Sequence, residues 1–325
     1  MNDPRYAVGF SLLAAALTPT LAAAQDAYPS QPIKMIVPYP AGGGTDIVAR
    51  LVGEQMRKPL GQSVIVDNRP GASGMIGTAA VAKAAADGYS VLVTAGEIAV
   101  NPHMYKEMQY DWEKDIAPLS LLVKVPNVLA VHADVPAKNV QELIAYAKAN
   151  PRKLSFSSSG IGNPQQLAGE LLNKLAGIEI MHVPYKGAAP QIADVAGKHI
   201  TMTFASIGAA KPFIDNGKLR AIGVTSATRV SMMPNVPALA EYPPLASYEL
   251  VNFFGLYGPS RLPDPVLRKL NAAAVQAMKV PELVAKMKEM GFEPATNSPE
   301  QFAAYVRAES KKFQAIIVQA NIKPE

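Results

Sequence analysis

Short runs of apolar, often β-branched residues alternate along this chain with longer stretches whose apolar residues recur every three or four positions. The first unit predicts a strand at Ile33 to Tyr39, a glycine-rich turn at Pro40 to Thr45, and a helix with one apolar face at Asp46 to Leu60. Strands at Ser63 to Val66 and Val91 to Thr94 follow, the second after another helix. This alternation is typical of an α/β fold with mostly parallel sheets.

A second series of the same kind follows the passage Leu119 to Val131, which is β-rich and carries no helix signal. Its predicted elements are the helices Val140 to Ala149, Gln165 to Ala176 and Pro190 to Ala196 and the strands Leu154 to Ser157, Ile180 to Val183, Thr201 to Phe204 and Ala221 to Thr225. The chain then returns to a strand at Asn252 to Tyr257 and closes with three helices, which begin near Pro263, Pro281 and Ser298.

Final helices that follow a strand usually pack on a sheet that already exists. We therefore predict a discontinuous first lobe, residues 25–125 and 250–325, and a second lobe, residues 126–249, each a small Rossmann-like unit. The connections between the lobes are expected near residues 124–127 and 248–252.

The N-terminus has the features of a signal peptide, predicted over residues 1–24. No charged side chain occurs between Tyr6 and Gln25, and the apolar run Ala7 to Leu17 is shorter than a membrane span. Small residues precede a predicted cleavage between Ala24 and Gln25. An exported, periplasmic protein is expected, and the alternative is an uncleaved N-terminal anchor.

Composition excludes several classes of protein. The 325 residues are 49% apolar with a net charge of +5, which argues against disorder. The chain has no basic run interleaved with aromatic residues, which argues against nucleic-acid binding. The chain has no cysteine, so thiolate catalysis, Fe–S clusters and disulfides are excluded. We expect no cofactor and no bound metal.

Catalytic motifs are also missing. Serine 73 in the stretch Gly71 to Met75 does not stand in a Gly-x-Ser-x-Gly elbow, and none of the histidines forms a His-x-x-x-His pair. We expect a protein that is not an enzyme. Because folding brings distant residues together, a hydrolase or isomerase of small acids stays open as an alternative.

Two glycine-containing turns between a strand and a helix are the strongest candidates for a site. In the first, Pro40 to Asp46, three glycines let backbone amides approach a ligand, and a helix N-terminus favours an anion. The turn fits neither the Walker loop nor the dinucleotide fingerprint, which argues against a nucleotide. The alternative is a tight structural turn in which Thr45 or Asp46 only caps the helix.

The second turn, Ser157 to Gln166, predicts a well-capped helix with Asn163 as N-cap, Pro164 at the first helical position and Gln166 able to bond back to the cap. It occupies in the second series the position that the first turn occupies in the first. Ligands of open α/β sheets collect at the carboxyl ends of strands, so we predict that the two turns face each other across a hinged cleft.

The sequence resembles the periplasmic substrate-binding proteins of tripartite tricarboxylate transporters, often called the Bug family. The order and spacing of the matching stretches carry the resemblance over essentially the whole mature chain. They are Tyr28-Pro29, Ile33 to Asp46, Val66 to Ala72, Asp87 to Tyr89, Gly160 to Glu170, Val183 to Gly187, Gly217 to Ala221 and Pro234 to Pro237.

The resemblance implies a Venus-flytrap fold of the periplasmic binding proteins, with two Rossmann-like lobes joined by crossover strands and closing on a small carboxylate. It implies that both glycine turns, a loop of the first lobe and a strand tip of the second contact the ligand. The implied residues are Tyr39, Ala41, Gly42, Gly43, Thr45, Asp46, Thr94, Ala95, Ser158, Ser159, Gly160, Gly162, Asn163, Ala205 and Ser206. Tyr185 either lines the hinge side of the cleft or begins a helix.

The implied role is capture of a small organic carboxylate and delivery to integral membrane transporter subunits, by a monomer without cofactor or nucleic-acid partner. A ligand-loaded accessory of a signalling receptor is the alternative. Many relatives carry Thr, His and Asp where this chain has Asn163, Gln166 and Ala205. Loss of the Asp disfavours a zwitterionic amino acid, so a di- or tricarboxylate or an aromatic acid is expected.

Overall fold

The computed structural model describes residues 28–324 of the chain. The predicted signal peptide, residues 1–24, lies outside the described residues. Within 28–324, no helix is both long enough and apolar enough to cross a bilayer.

The described residues form eleven strands and eleven α-helices. The strands are β1 Ile33–Val37, β2 Val64–Asn68, β3 Ser90–Ala95, β4 Ile116–Val125, β5 Asn127–His132, β6 Ser155–Ser158, β7 Met181–Pro184, β8 Met202–Ser206, β9 Leu219–Val224, β10 Asn252–Pro259 and β11 Glu293–Pro294. The helices are α1 Gly44–Leu60, α2 Met75–Ala82, α3 Glu97–Met104, α4 Trp112–Asp115, α5 Val140–Ala149, α6 Pro164–Ala176, α7 Ala188–Ala196, α8 Ile207–Asp215, α9 Asp264–Ala277, α10 Pro281–Glu289 and α11 Pro299–Gln319.

The strands form two separate sheets. One has six strands in the order β11-β4-β10-β3-β1-β2, and the other has five in the order β7-β6-β8-β5-β9. Helices cover both, so the α/β prediction is confirmed. The expectation of mostly parallel sheets is wrong. Of the nine strand pairs in the described residues, only four are parallel, because β4 and β10 in one sheet and β5 in the other pair antiparallel with all their neighbours.

Two segments pass from one sheet to the other. Strand β4 continues into β5 through Pro126 alone, and the return path from β9 to β10 begins at Thr225. The two segments are hydrogen-bonded to each other, because the amide of Thr225 donates to the carbonyl of Asn127 and the amide of Asn127 donates to the Thr225 hydroxyl, both at 2.9 Å. The two connections between the sheets are therefore paired with each other where β5 begins and β9 ends.

Each lobe buries apolar residues on its sheet, and one apolar cluster continues through both lobes. Helix α11 packs on β4 and α3 in the first lobe and also contacts α6 in the second. The buried hydroxyl of Tyr248 donates to the Ala168 carbonyl at 2.9 Å and ties the segment before β10 to α6. Helix α11 therefore packs against elements of both lobes.

Several predicted elements match the structure closely, and three helices, α3, α4 and α8, were not predicted at all. The helix Val140 to Ala149 has the predicted bounds. The helices α3 and α8 are short and contain Pro102 and Pro212, which obscure the helical pattern in the sequence. Both begin at the edge of the interlobe cleft, so the missed elements matter for the site.

Candidate functional site

The first glycine turn is held by the side chain of Asp46. Its carboxylate is buried and accepts hydrogen bonds from the Gly42 amide at 2.9 Å, from Arg50 Nε at 3.0 Å and from Asn68 Nδ2 at 2.9 Å. Burial by itself would raise the pKa of Asp46, but the bonds from Arg50, Gly42 and Asn68 outweigh it and hold that pKa below its usual value. Asp46 therefore shapes the turn.

The N-terminus of α1 is left open by this arrangement. Gly43 is the N-cap, and no side chain within residues 28–324 caps the helix there. The first amides of α1 therefore have no side-chain acceptor, and the helix dipole adds partial positive charge at the same place. Gly43 and Thr45 line the cavity between the lobes, so these donors are available to an anion.

The second turn satisfies its own donors. Asn163 caps α6 as predicted, accepting from the Gln166 amide at 2.9 Å. The amides of Ser159 and Gly162 donate to the side-chain oxygens of Gln165 at 2.8 Å and Gln166 at 2.7 Å. Gln166 thus bonds to the residue before the cap and not to the cap itself. Because these amides are occupied, the turn offers a ligand mainly side-chain groups, namely the Ser159 hydroxyl and the Asn163 side chain.

Two further helix N-termini of the second lobe reach the same cavity. Helix α7 begins after Gly187 and α8 after Ser206, and neither has a side-chain cap in the described residues. Gly187, Ala188, Ser206 and Ile207 all line the cavity. Together with α1, three uncapped helix N-termini from both lobes converge on one space, which the positions of the two glycine turns alone did not indicate.

The cavity has a volume of about 780 Å³ and lies between the lobes. Seven of the predicted residues line it, namely Tyr39, Gly43, Thr45, Ala95, Ser159, Asn163 and Ser206. A second cavity of about 180 Å³ adjoins it, and Gly160 and Gly162 line that one. Four residues, Tyr39, Glu97, Ser159 and Asn163, border both cavities and form the neck between them.

The lining has no cationic side chain. Among the described residues around the main cavity there is no Lys, Arg or His, and its charged side chains are Glu97 and the exposed Glu289. Apolar groups such as Phe254, Phe292 and Met290 complete the wall. An anion in this cavity would therefore be neutralised by backbone dipoles and hydrogen-bond donors, and not by an ion pair.

The structure does not bring seven of the predicted residues to the lining of either cavity. They are Ala41, Gly42, Asp46, Thr94, Ser158, Tyr185 and Ala205. Ala41 and Gly42 lie exposed on the outer side of the first turn. Buried Thr94 supports the cavity from behind, with its hydroxyl 3.4 Å from that of Tyr39.

Three more of these residues, Ser158, Tyr185 and Ala205, make their contacts within the second lobe. The Ser158 hydroxyl is buried, donates to the Gly160 carbonyl at 2.7 Å and lies 2.7 Å from His182 Nε2. The Tyr185 hydroxyl donates to Asp194 at 2.6 Å. Ala205 lies in the apolar core, because side chains alternate along β8 and its position faces inward. The sequence analysis disfavoured an amino-acid ligand because Ala205 replaces an Asp of relatives. Ala205 does not line the cavity, so this residue gives no support to that expectation.

The predicted site residues lack five polar or charged residues of the lining, Glu97, Asn127, Gln165, Asn252 and Glu289. Asn127 and Asn252 fall at the two predicted connections between the lobes, which is the one signal that pointed to them. Glu97 begins the unpredicted helix α3. Burial raises the pKa of Glu97, and hydrogen bonds from its own backbone amide and from Tyr39 oppose that effect.

The lobes contact each other on both sides of the cavity. The Cα of Gly162 lies over the side chain of Met104, so that an added Cβ would come within 3.0 Å of it. On the other side, an added Cβ at Gly208 would lie 2.9 Å from the Met290 carbonyl oxygen. The Ser231 hydroxyl donates to Glu293 at 2.9 Å. These contacts lie on two sides of the cavity.

Two lobes, each built on its own sheet, with one cavity between them, define the two-lobe fold of the periplasmic binding proteins. Comparison with known proteins makes this more specific. The chain belongs to the family described as the tripartite tricarboxylate transporter family receptor, whose profile matches residues 48–322. The resemblance inferred from the sequence is thereby confirmed.

Individual relatives agree with this assignment. The chain is 36% identical over 309 residues to a protein encoded in the tcbD-tcbE intergenic region of Pseudomonas sp., covering 94% of this chain and 92% of that one. It is 32% identical to BugT of Bordetella pertussis, covering 92% of each.

Solved structures show the same fold. An R. palustris protein with adipate superposes with a TM-score of 0.81 at 33% identity, covering 92% of this chain and all of that one. The periplasmic binding protein BugD superposes with a TM-score of 0.77 at 34% identity, with the same coverage. MatC from Rhodopseudomonas palustris with bound malate gives 0.74 at 27% identity, covering 89% of this chain and all of MatC.

Proposed function

We propose that this protein is a periplasmic solute-binding protein that captures a small organic carboxylate between its lobes and delivers it to a tripartite tricarboxylate-type membrane transporter. The observation that carries the proposal is the convergence of three uncapped helix N-termini on one cavity whose described lining has no cationic side chain. Such a site favours a small anion held by hydrogen bonds. Two relatives, which are described with adipate and with malate, support a carboxylate as the anion.

The site residues proposed to contact the ligand are those of both lobes that line the two cavities. The α1 turn around Gly43 and Thr45 holds the carboxylate, while Ser159, Asn163 and Ser206 close on it from the second lobe. Asp46, Thr94 and Ser158 act indirectly by holding these groups in place. The hinge is the paired connection at Asn127 and Thr225, about which the second lobe moves.

A thermal-shift screen tests the binding step. The purified exported protein is heated alone and with di- and tricarboxylates, aromatic acids, hydroxy acids and amino acids, and the added compound is afterwards analysed by mass spectrometry. A ligand present at a hundredfold excess over its Kd is expected to stabilise the fold by about 2.7 kcal/mol and to be recovered unchanged. Turnover at catalytic protein concentration, or stabilisation by none of the carboxylates, would contradict the proposal.

Export and delivery need separate measurements. The N-terminal sequence of the protein from a periplasmic extract is expected to begin at Gln25, and sedimentation is expected to show a monomer. Uptake of the labelled ligand by cells carrying a transporter of this type is expected to require the protein. Uptake that is equally fast without it would leave binding intact and refute delivery.

A further inference from the structure

The two lobes contact each other through a methionine on one side of the cavity. Met104 ends helix α3 of the first lobe, is only 3% exposed and packs on Gly162 in the second turn. A Cβ added to Gly162 would lie 3.0 Å from Met104 Cε and 3.1 Å from its Cγ. This close approach therefore depends on the missing side chain at position 162.

The contact on the other side has the same construction with the lobes exchanged. Met232 belongs to the second lobe, and its Sδ would lie 3.1 Å from a Cβ added to Gly291 of the first lobe. Gly162 and Gly291 also have φ angles of +69° and +80°, which residues with side chains rarely adopt. Each lobe thus supplies one methionine, and the other lobe supplies the glycine on which it packs.

A hydrogen bond between the lobes accompanies the second of these contacts. Ser231, next to Met232, donates to Glu293 Oε1 through its hydroxyl at 2.9 Å and through its amide at 3.3 Å. Neither Ser231 nor Glu293 lines the main cavity or the small one. This pair therefore holds the lobes together at a place that a ligand in either cavity does not reach.

The two lobes have no ion pair between them within residues 28–324. Contact across the cavity therefore depends on close packing and on the bond from Ser231 to Glu293. Methionine suits such a contact, because its unbranched thioether adapts to the surface it meets and gains dispersion energy from a close fit.

We propose that two latches hold the closed form: Met104 on Gly162, and Met232 on Gly291 together with the bond from Ser231 to Glu293. Met104, Met232 and Ser231 are then positioning residues that keep the second lobe over the bound carboxylate. The apparent Kd of a ligand that needs the closed form rises as the closed fraction falls. The inference rests on the proposed function and adds what stabilises its closed state.

Truncation of the methionines is the first test. Binding of succinate, adipate, citrate and benzoate is measured by calorimetric titration, and their release by stopped flow. M104A and M232A are each expected to weaken binding about tenfold through faster release, by the same factor for every probe that wild-type protein binds. Unchanged affinity, or a factor that depends on the probe as a direct ligand contact would make it, overturns the inference.

The serine tests the second latch away from both cavities. S231A is expected to weaken every bound probe about threefold to tenfold while the melting temperature without ligand stays that of wild type. S226A is the matched control, because the Ser226 hydroxyl donates to the Thr228 carbonyl at 2.7 Å within the second lobe, and it should bind as wild type does. Equal affinities of S231A and S226A overturn the role of this latch.

Oxidation by hydrogen peroxide shows whether the latches open. Peroxide transfers one oxygen atom to a thioether sulfur, which gives a sulfoxide and water, and the rate follows the exposure of the sulfur. Saturation with the tightest probe is expected to slow sulfoxide formation at Met104 and Met232 about tenfold, measured by mass spectrometry, and to leave the 62% exposed Met181 unaffected. Equal rates with and without the probe at Met104 and Met232 overturn the inference.

Failure of the proposed function has a different signature. In that case wild-type protein binds none of the four acids. Binding of an acid by wild-type protein with the same affinity and release rate in M104A, M232A and S231A would leave solute binding intact and refute the latches alone.

Discussion

The carboxylate of Asp46 accepts the amide of Gly42 at 2.9 Å, across the turn that opens helix α1. The bond closes the turn on itself and is backed by Arg50 and Asn68. Gly42 adopts a φ of +82°, which a residue with a side chain rarely adopts, so the turn needs a glycine there. The result is a preformed loop whose remaining amides, those at the start of α1, are directed to the cavity.

Removing the Asp46 carboxylate is expected to loosen this loop. Asp46→Ala leaves the Gly42 amide without an acceptor and removes one of the two acceptors of Asn68 Nδ2, the other being the Tyr39 carbonyl. We expect a loss of about 2–3 kcal/mol in the free energy of unfolding by urea. Ligand-induced stabilisation should fall as well. Glu54→Ala, on the exposed face of the same helix, is the control and should change stability by less than about 0.5 kcal/mol. An Asp46→Ala protein as stable as wild type would contradict this role.

A side chain at Gly43 is expected to block binding without unfolding the protein. Gly43 has a φ of −74°, which any residue tolerates, and an added Cβ would meet only the Pro40 carbonyl oxygen, at 3.4 Å. Gly43→Val places its methyl groups at the mouth of the α1 N-terminus. The melting temperature without ligand should stay near that of wild type, and the ligand-induced shift should disappear.

Ala41→Val is the matched control for this variant. Ala41 lies in the same turn but is exposed and does not line the cavity. Its ligand-induced shift should equal that of wild type. If Gly43→Val kept its affinity, the carboxylate would have to be held elsewhere.

Gln191 of α7 is expected to hold strands β6 and β8 of the second lobe together. This buried side chain donates through Nε2 to the Phe204 carbonyl at 2.7 Å, the Thr203 hydroxyl at 2.8 Å and, less closely, the Ser157 carbonyl at 3.2 Å. Gln191→Met keeps the volume and removes the donors, and should cost about 1–3 kcal/mol of stability and weaken ligand binding. The exposed Gln141→Met should do neither, and equal stability of the two variants would refute the role.

His182 is expected to make the second lobe sensitive to acid. Burial lowers the pKa of His182 from 6.5 to about 4, so the unfolded chain takes up a proton at a higher pH than the folded one. Protonation of His182 therefore does not reduce the free energy of unfolding above pH 6.5. It reduces that free energy progressively as the pH falls from 6.5 towards 4. Because the ring is partly exposed, the loss between about pH 7 and about pH 5 should be about 1 kcal/mol.

The pH effect is measured as a difference between variants. Urea unfolding at both pH values should show that His182→Gln loses less stability on acidification than wild type, whereas His199→Gln, at an exposed histidine of the same lobe, behaves as wild type. An identical pH dependence of wild type and His182→Gln would show that the ring does not titrate with folding.

Local features were predictable wherever neighbouring residues decide them. The Asn163 cap forms as expected, and α11 begins at the predicted place, with a capping box in which the Ser298 hydroxyl accepts the Gln301 amide at 3.2 Å. Both depend on residues three positions apart, within one helical turn. The first glycine turn and the helix after it also follow from their own sequence.

The amino-acid sequence by itself determined the alternation of strands and helices, the two turns, and the family to which the chain belongs. The tertiary structure decided which donors remain free, because the glutamines of the second turn occupy its amides while α7 and α8 bring uncapped N-termini to the cavity. It also decided that one cavity is lined by Glu97, Asn127 and Asn252, which lie on different strands and helices and meet only where β3, β4 and β10 end side by side at the hinge. Periodicity reports which face of an element is buried, but the meeting of three chain-distant side chains depends on the register between strands.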